Sequence, residues 1–355
     1  MAERRLSYNY QRLDEAISEI RLIRFLRLHE SWQPGFWIDT FPLSAYPPYT
    51  ALSYCWGSAA RTHNILLNGS RLPITGSLAS FFSHLITDIS TPCSPYIWID
   101  AICINQADVE ERSKQVLKMK QIYEQAESIN IWLGPGDAET DAVLDELQGI
   151  MKRLGNKPQS SGALDDILRP SLQSLPLCSW KALRKIWTNP WWTRAWVIQE
   201  ATTTGNHVFV RCGHRCLSFD IVNAVSRFLL SFSTSERALR ASSDLPWRAI
   251  MMLNWTRELR QHIERNSTEG WLDLIQLLDA ARHHDATDPR DKVYSVLALA
   301  ATASDSGIRP HYTLSVEEVY VSVARYILIQ SRDLRLLKFC FNSNKFEALP
   351  SWAPD

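Results

Sequence analysis

WIDAICINQADVEERSKQV, residues Trp98 to Val116, changes character halfway along. It opens as the end of a buried strand, YIWID (Tyr96–Asp100), and closes as a charged helix. Asp108 has the character of a helix N-cap, with Glu111 three residues on as in a capping box. Val116, Met119, Ile122, Tyr123 and Ala126 then recur at helical spacing, which predicts an amphipathic helix over roughly 109–126. SINIWLG (Ser128–Gly134) is the next buried strand, and DAVLDELQGIMKRL starts another helix. Strand, helix, strand, helix is the order of a parallel sheet with covering helices.

Upstream, EIRLIRFLRLH (Glu19–His29) reads as a strand with a basic outer face, and FWIDTFPL as its partner. ALSYCWG (Ala51–Gly57) is a short apolar run stopped by glycine, as expected of a buried strand. NILLNGSRLPI carries an Asn68-Gly69 turn signal and predicts a hairpin. LASFFSHLI is a helix candidate. Downstream, GNKPQSSGALDD (Gly155–Asp166) is a polar loop, WTNPWWTRAWVIQE (Trp187–Glu200) follows, HVFVRCG is a strand, and the chain from about Phe219 to Ile329 is mostly helical by period. The expected organisation is an α/β core over 1–215 and a mainly helical portion over 216–355 packed on it.

A chain of 355 residues, 45% hydrophobic and with 14 Trp, can bury a large core in one big domain or two ordinary ones. Lys plus Arg and Asp plus Glu both number 38, so there is no general positive field and no nucleic-acid partner is expected. No apolar run approaches the roughly 20 residues of a membrane span, and the N-terminus lacks a signal-peptide apolar region. Seven scattered Cys point to free thiols and a cytoplasmic location. Neither G-x-G-x-x-G after the first strand nor G-x-x-x-x-G-K-[ST] occurs, which disfavours hydride-transfer Rossmann enzymes and P-loop NTPases.

In open parallel sheets, ligands bind beyond the carboxyl ends of the strands. Asp100 ends one strand, and Cys103 to Asp108 form the loop into the next helix. Ser53, Tyr54 and Trp56 end the preceding strand; Trp132 and Gly134 end the following one. These residues are expected to converge on one crevice, with the helix N-terminus near Asp108 aimed at it. Each has a second reading. Asp100 serves chemistry or caps its own turn. Asn105, Gln106 and Asp108 hold a ribose or base edge, or satisfy loop backbone and cap the helix. Trp56 and Trp132 stack on a ligand ring or pack the core. Cys103 is a thiol nucleophile or, lacking a His partner in the motif, a buried apolar side chain. Cys212-Gly213-His214-Arg215-Cys216 has the wrong spacing for zinc and predicts a hairpin turn; no metal site is expected. Asp288-Pro289-Arg290-Asp291 predicts a helix start with Asp288 at the N-cap and Pro289 at the first helical position, and Arg290 and Asp291 as a clamp between the helical half and the sheet.

The segments YTALSYCWG (49–57), IWIDAICINQADVEERSKQVLKMKQIYEQA (97–126), IWLG (131–134), WTRAWVIQE (192–200), ATDPRDKVYSVLAL (286–299) and LPSWAPD (349–355) resemble, in order, the fungal heterokaryon incompatibility (HET) domain. The chain stops where members of that family often continue with a variable C-terminal region. The resemblance implies non-self recognition and programmed cell death after fusion of unlike hyphae. It also implies a flavodoxin-like, TIR-like core with added hairpins, because HET domains have been proposed as distant relatives of TIR domains. ALSY (51–54) is similar to the opening strand of that fold. Some TIR domains hydrolyse NAD, so NAD is implied as a substrate rather than a bound cofactor. Their catalytic Glu lies in W-x-x-E; the nearest match, Trp196 to Glu200, has one residue more, and implies Glu200 as the catalytic carboxylate. Its other reading is an ion pair with Arg194 or Arg112; Arg194 is otherwise placed among the ligand-binding residues. Two further functions stand beside the NAD hydrolase: a non-catalytic module that self-associates or binds a recognition partner, and a pathway enzyme using the same crevice on another small molecule.

Overall fold

The short apolar runs become strands of one sheet in the computed structural model, which describes residues 7–26, 35–87, 94–154, 168–202, 207–231, 245–265, 273–300, 307–342, 346 and 348–355. In chain order the elements are β1 (Glu19–Leu26), β2 (Gly35–Pro42), β3 (Tyr49–Tyr54), β4 (His63–Leu67), β5 (Ser70–Ile74), α1 (Gly76–Thr87), β6 (Tyr96–Trp98), α2 (Asp100–Cys103), α3 (Val109–Gln125), β7 (Ser128–Trp132), α4 (Ala138–Leu154), α5 (Leu177–Trp187), a 3-10 turn (Pro190–Thr193), α6 (Val197–Ala201), β8 (His207–Cys212), β9 (Arg215–Ser218), α7 (Phe219–Ser231), α8 (Trp247–Arg265), α9 (Leu274–Arg282), α10 (Asp291–Leu297) and α11 (Val316–Arg325). The polar stretch 155–166, expected as a loop, lies outside the described residues.

The strand order is β5-β4-β2-β1-β6-β3-β7-β8-β9. Four neighbours, β6, β3, β7 and β8, run parallel, in the chain order second, first, third, fourth. β3 is flanked on both edges, and all six of its residues are buried. That is why YTALSY does not alternate, and why its small polar residues Thr50 and Ser53 are buried along with its apolar ones. The sheet as a whole is mixed. β1 pairs antiparallel with both β2 and β6, and hairpins β4–β5 and β8–β9 close the two ends. Asn68 and Gly69 both have positive φ, 50° and 77°, the geometry of a two-residue hairpin turn. The turn expected between Cys212 and Cys216 is the β8–β9 connection.

One reading of β1 is corrected. Its basic face does not face solvent throughout: Arg21 is buried, because β1 is an interior strand. The Arg21 guanidinium is satisfied by the Cys103 carbonyl at 2.9 Å and the Gln11 carbonyl at 2.6 Å. Arg24, half-buried, lies 3.6 Å from Asp39 on β2.

The chain forms two compact units that are not contiguous in sequence. The first comprises 1–105, 125–192 and 206–247 and holds the whole sheet; the second comprises 106–124, 193–205 and 248–355. The expected boundary near residue 215 falls inside the β8–β9 hairpin, within the first unit. The second unit has its own core, with Ile198, Leu277, Val296, Tyr320, Val323 and Ile327 among its buried residues.

In the second unit, α10 begins at Asp291, two residues later than the expected first helical position, Pro289. Asp288 does cap the turn leading into it: its Oδ1 accepts from the Arg290 backbone N–H at 3.1 Å, and its carboxylate also takes a fork of side-chain hydrogen bonds from Arg290 at 2.8 and 2.7 Å. Arg290 also donates to the carbonyls of Tyr312 and Leu314. Asp291 accepts from the Tyr312 hydroxyl at 2.7 Å, and burial pushes its carboxyl above the ordinary carboxylate range. The Arg112 guanidinium stacks 4.0 Å from the Tyr312 ring centre. These contacts fasten the Asp-Pro-Arg-Asp turn within its own unit, where the sequence suggested a clamp onto the sheet.

Candidate functional site

The carboxyl ends of the parallel strands in the first unit carry the first candidate site. β3 leads into Trp56 and the adjacent strand β6 leads into Asp100, and the Trp56 indole N–H donates to Asp100 Oδ2 at 2.9 Å. Asp100 Oδ1 accepts from the Ala101 backbone at 2.7 Å. Asp100 therefore both fixes its own turn and orients an indole that is 37% exposed. Two N–H donors hold the carboxylate in one orientation, and the ring remains open to a flat partner.

The neighbouring expected residues divide between the two faces of the sheet. Register pairs Ser53 with Ile131 and Tyr54 with Trp132. Because the side-chain period of a strand is two, Ser53 and Tyr54 point to opposite faces. Ser53 is buried and its hydroxyl accepts from the Trp191 indole at 2.7 Å. Asn189, whose side chain accepts from the Trp191 backbone at 2.9 Å and donates to the Leu133 carbonyl at 2.6 Å, fixes that indole. Tyr54 is buried too. Trp132, on the other face, is 2% exposed and packs against Phe81 and His84 of α1, at 5.7 and 5.1 Å between ring centres. Its indole nitrogen has no hydrogen-bond partner among the described residues.

A histidine not singled out from the sequence, His84, stands here beside His214 of the Cys212–Cys216 turn. His84 lies between Trp132 and His214, with its ring centre 4.8 Å from that of His214 in the β8–β9 turn. Its Nδ1 bonds the Ser80 carbonyl at 2.8 Å. At the other end of α1, Ser77 donates to the Cys55 carbonyl at 2.7 Å. Helix α1 thus touches the ends of both β3 and β8. The only sequence signal for His84 was a polar ring on the buried side of an amphipathic helix.

The loop after β7 is locked against the same turn. The Gly213 N–H donates to the Gly134 carbonyl at 2.8 Å. Gly213 has φ of +57°, and a Cβ there would lie 2.4 Å from the Pro135 oxygen. Asp137 caps α4 through Thr140 and bonds Lys185 at 2.7 Å, which lowers its carboxyl to about 2.

Cys103 is fully buried, and burial pushes its thiol up to about 12. Its sulfur accepts from the Ile99 backbone at 3.3 Å. A thiol held neutral in this way is not a nucleophile. Asn105 is half-buried at the end of the first unit's opening segment, and Gln106, also half-buried, begins the second unit. Asp108 Oδ1 accepts from the backbones of Glu110 and Glu111 at 3.0 Å each, so the N-terminus of α3 is capped by its own chain.

Glu200 belongs to the second unit. It is 1% exposed, and both carboxylate oxygens face the Arg194 guanidinium, at 3.2 and 3.3 Å. Arg194 is held in turn by a backbone bridge to Asp285. Among the described residues no group of three or more His, Cys, Asp or Glu is placed to hold a metal, and no helix is long and apolar enough to cross a membrane.

Residues 49–200 match the family described as heterokaryon incompatibility protein (HET). Heterokaryon incompatibility protein 6, OR allele, of Neurospora crassa is 30% identical over 372 residues, covering 90% of this chain and 54% of that protein. The chain thus spans about half the length of the curated relative it matches. No solved structure matches.

Proposed function

The chain belongs to the heterokaryon incompatibility family, and from that premise we propose that it is a cytoplasmic effector of fungal non-self recognition and cell death whose crevice at the ends of β3 and β6 binds NAD and hydrolyses its nicotinamide–ribose bond. The observation that carries this reading is the Trp56–Asp100 pair, an open indole fixed 2.9 Å from a carboxylate at adjacent strand ends. Cleavage consumes one water and develops positive charge on the ribose, while nicotinamide leaves as a neutral group. One oriented carboxylate supplies the main electrostatic stabilisation, and the indole face receives a flat heterocycle. The parallel order second, first, third, fourth supports a flavodoxin-like core of the TIR type, which binds ligands at this end of the sheet.

A non-catalytic interaction module is the second reading, and the burial of Glu200 in its ion pair favours it. Incubating the purified chain with NAD and separating the products distinguishes the two. The enzymatic reading expects release of nicotinamide, with Asp100→Asn slowing it by on the order of 10²-fold. NAD left intact by the wild-type chain refutes that reading and leaves the interaction module.

A further inference from the structure

The second unit contains a cleft that neither the family nor the strand-end crevice accounts for. It measures about 470 Å³ and lies between the segment Gly307–Leu314 and the end of α11, with the π-helical turn Tyr326–Gln330 that follows. That volume falls within the range of small-molecule sites. Arg309, His311 and Arg325 line it, and all three are exposed. Among the described residues neither arginine has a carboxylate partner. Glu318, the nearest acid on the same helix, is engaged in the capping box with Ser315. Exposed arginines with no partner, collected at one concavity, form a site for an anion that guanidinium groups can grip by paired hydrogen bonds.

The rest of the lining is mixed: Ser322 and Gln330 stand beside Ile308, Leu314, Val319 and Ile329. Leu314 and Ile329 are 38% and 65% exposed, and the buried Tyr326 contributes to the lining. Exposed apolar side chains beside unpaired guanidinium groups suit a ligand with one charged end and one apolar or flat end. Two positive charges favour a dianion over a monocarboxylate.

We propose that this cleft binds a small organic phosphate of mononucleotide size, its phosphate held by Arg309 and Arg325 and its apolar body lying against Leu314 and Ile329. The site is independent of the strand-end crevice.

Calorimetric titration of the full chain with AMP, inorganic phosphate and adenosine tests the proposal. AMP is expected to bind more tightly than either fragment. Arg309→Ala and Arg325→Ala should each weaken AMP at least about tenfold, the scale of a lost charge-assisted hydrogen bond, with unchanged melting curves. Ile329→Gln should weaken AMP and leave inorganic phosphate unaffected. The proposal fails if AMP does not bind at millimolar concentration, if adenosine or inorganic phosphate binds as well as AMP does, or if AMP binding survives both arginine substitutions.

Discussion

Replacing Arg194 by Met, Glu200 by Gln, and both together asks whether Glu200 is a fastened structural group or a free carboxylate. The Glu200 side chain is 2% exposed and that of Arg194 is 19% exposed, with 3.2 Å between charged atoms. At an effective dielectric constant of about 20, two unit charges at that distance attract by about 5 kcal/mol. Desolvation of the two ions offsets most of this, so the pair as a whole contributes little beyond an apolar pair of the same shape. Removing one partner is different. Arg194→Met leaves a carboxylate in the interior with its fork partner gone, which costs about 3 kcal/mol, the low end for a buried pair because water reaches Arg194. Glu200→Gln leaves the charge on the more exposed partner and should cost about 1 kcal/mol. The double variant should lie within about 1 kcal/mol of wild type, far from the sum of the single losses, because neither charge remains buried alone. Thermal melting followed by circular dichroism reads these differences at about 2–4 °C per kcal/mol for a unit of this size. Losses that simply add would show that the pair is not coupled. A stable Arg194→Met protein would show that the carboxylate has other support, and would return Glu200 to the list of groups free to do chemistry.

Cys103→Ser should fold and retain whatever activity the chain has, and iodoacetamide at pH 8 should leave Cys103 unlabelled in the folded protein, as read by mass spectrometry. The thiol is raised from its ordinary 9.0 to about 12, so its contribution to stability is complete below pH 9 and is lost as pH climbs from there towards 12; the Ser variant should lack that part of the alkaline decline. Gly213→Ala should destabilise by about 2–4 kcal/mol, since it combines positive φ with a backbone clash at Pro135. Gly69→Ala, with φ of +77° and nothing within 4 Å, should cost only about 1 kcal/mol, and equal losses at the two glycines would show that the clash at Pro135 is relieved by movement.

The strands of the parallel core were legible because burial on both faces leaves a compositional trace: β3 and β7 carry no charged residue, and their polar positions are limited to Thr50, Ser53, Ser128 and Asn130. The Asn68-Gly69 turn and the Asp108 cap were legible because their chemistry is local. Strand order was not. Nothing in EIRLIRFL states that it pairs with β6 as well as β2, because an interior place depends on edges far away in sequence. Arg21 looked like a surface charge for the same reason; its acceptor at Cys103 is 82 residues distant. At the site, the alternation that separates Ser53 from Tyr54 was contained in the sequence, yet grouping residues by strand end overrides it. The Trp191–Ser53 bond spans 138 residues and leaves no periodic signature. The Asp288 bond to the Arg290 backbone was legible because it is local, whereas the extra turn that delays the helix from Pro289 to Asp291 was not.

The interleaving of the two units bears on how the chain comes off the ribosome. Helix α3 buries Val116, Met119, Ile122 and Tyr123, yet most of the unit to which it belongs starts at residue 248. At ordinary translation rates those later residues emerge on the order of ten seconds after α3. During that interval all the strands of the first unit have been synthesised, while most of the second unit is still to come. A nascent chain stalled near residue 247 should therefore carry a complete set of strands without most of the second unit's core, which makes it a natural client for chaperones. Fragments cut between the two units should likewise be less soluble than the whole chain.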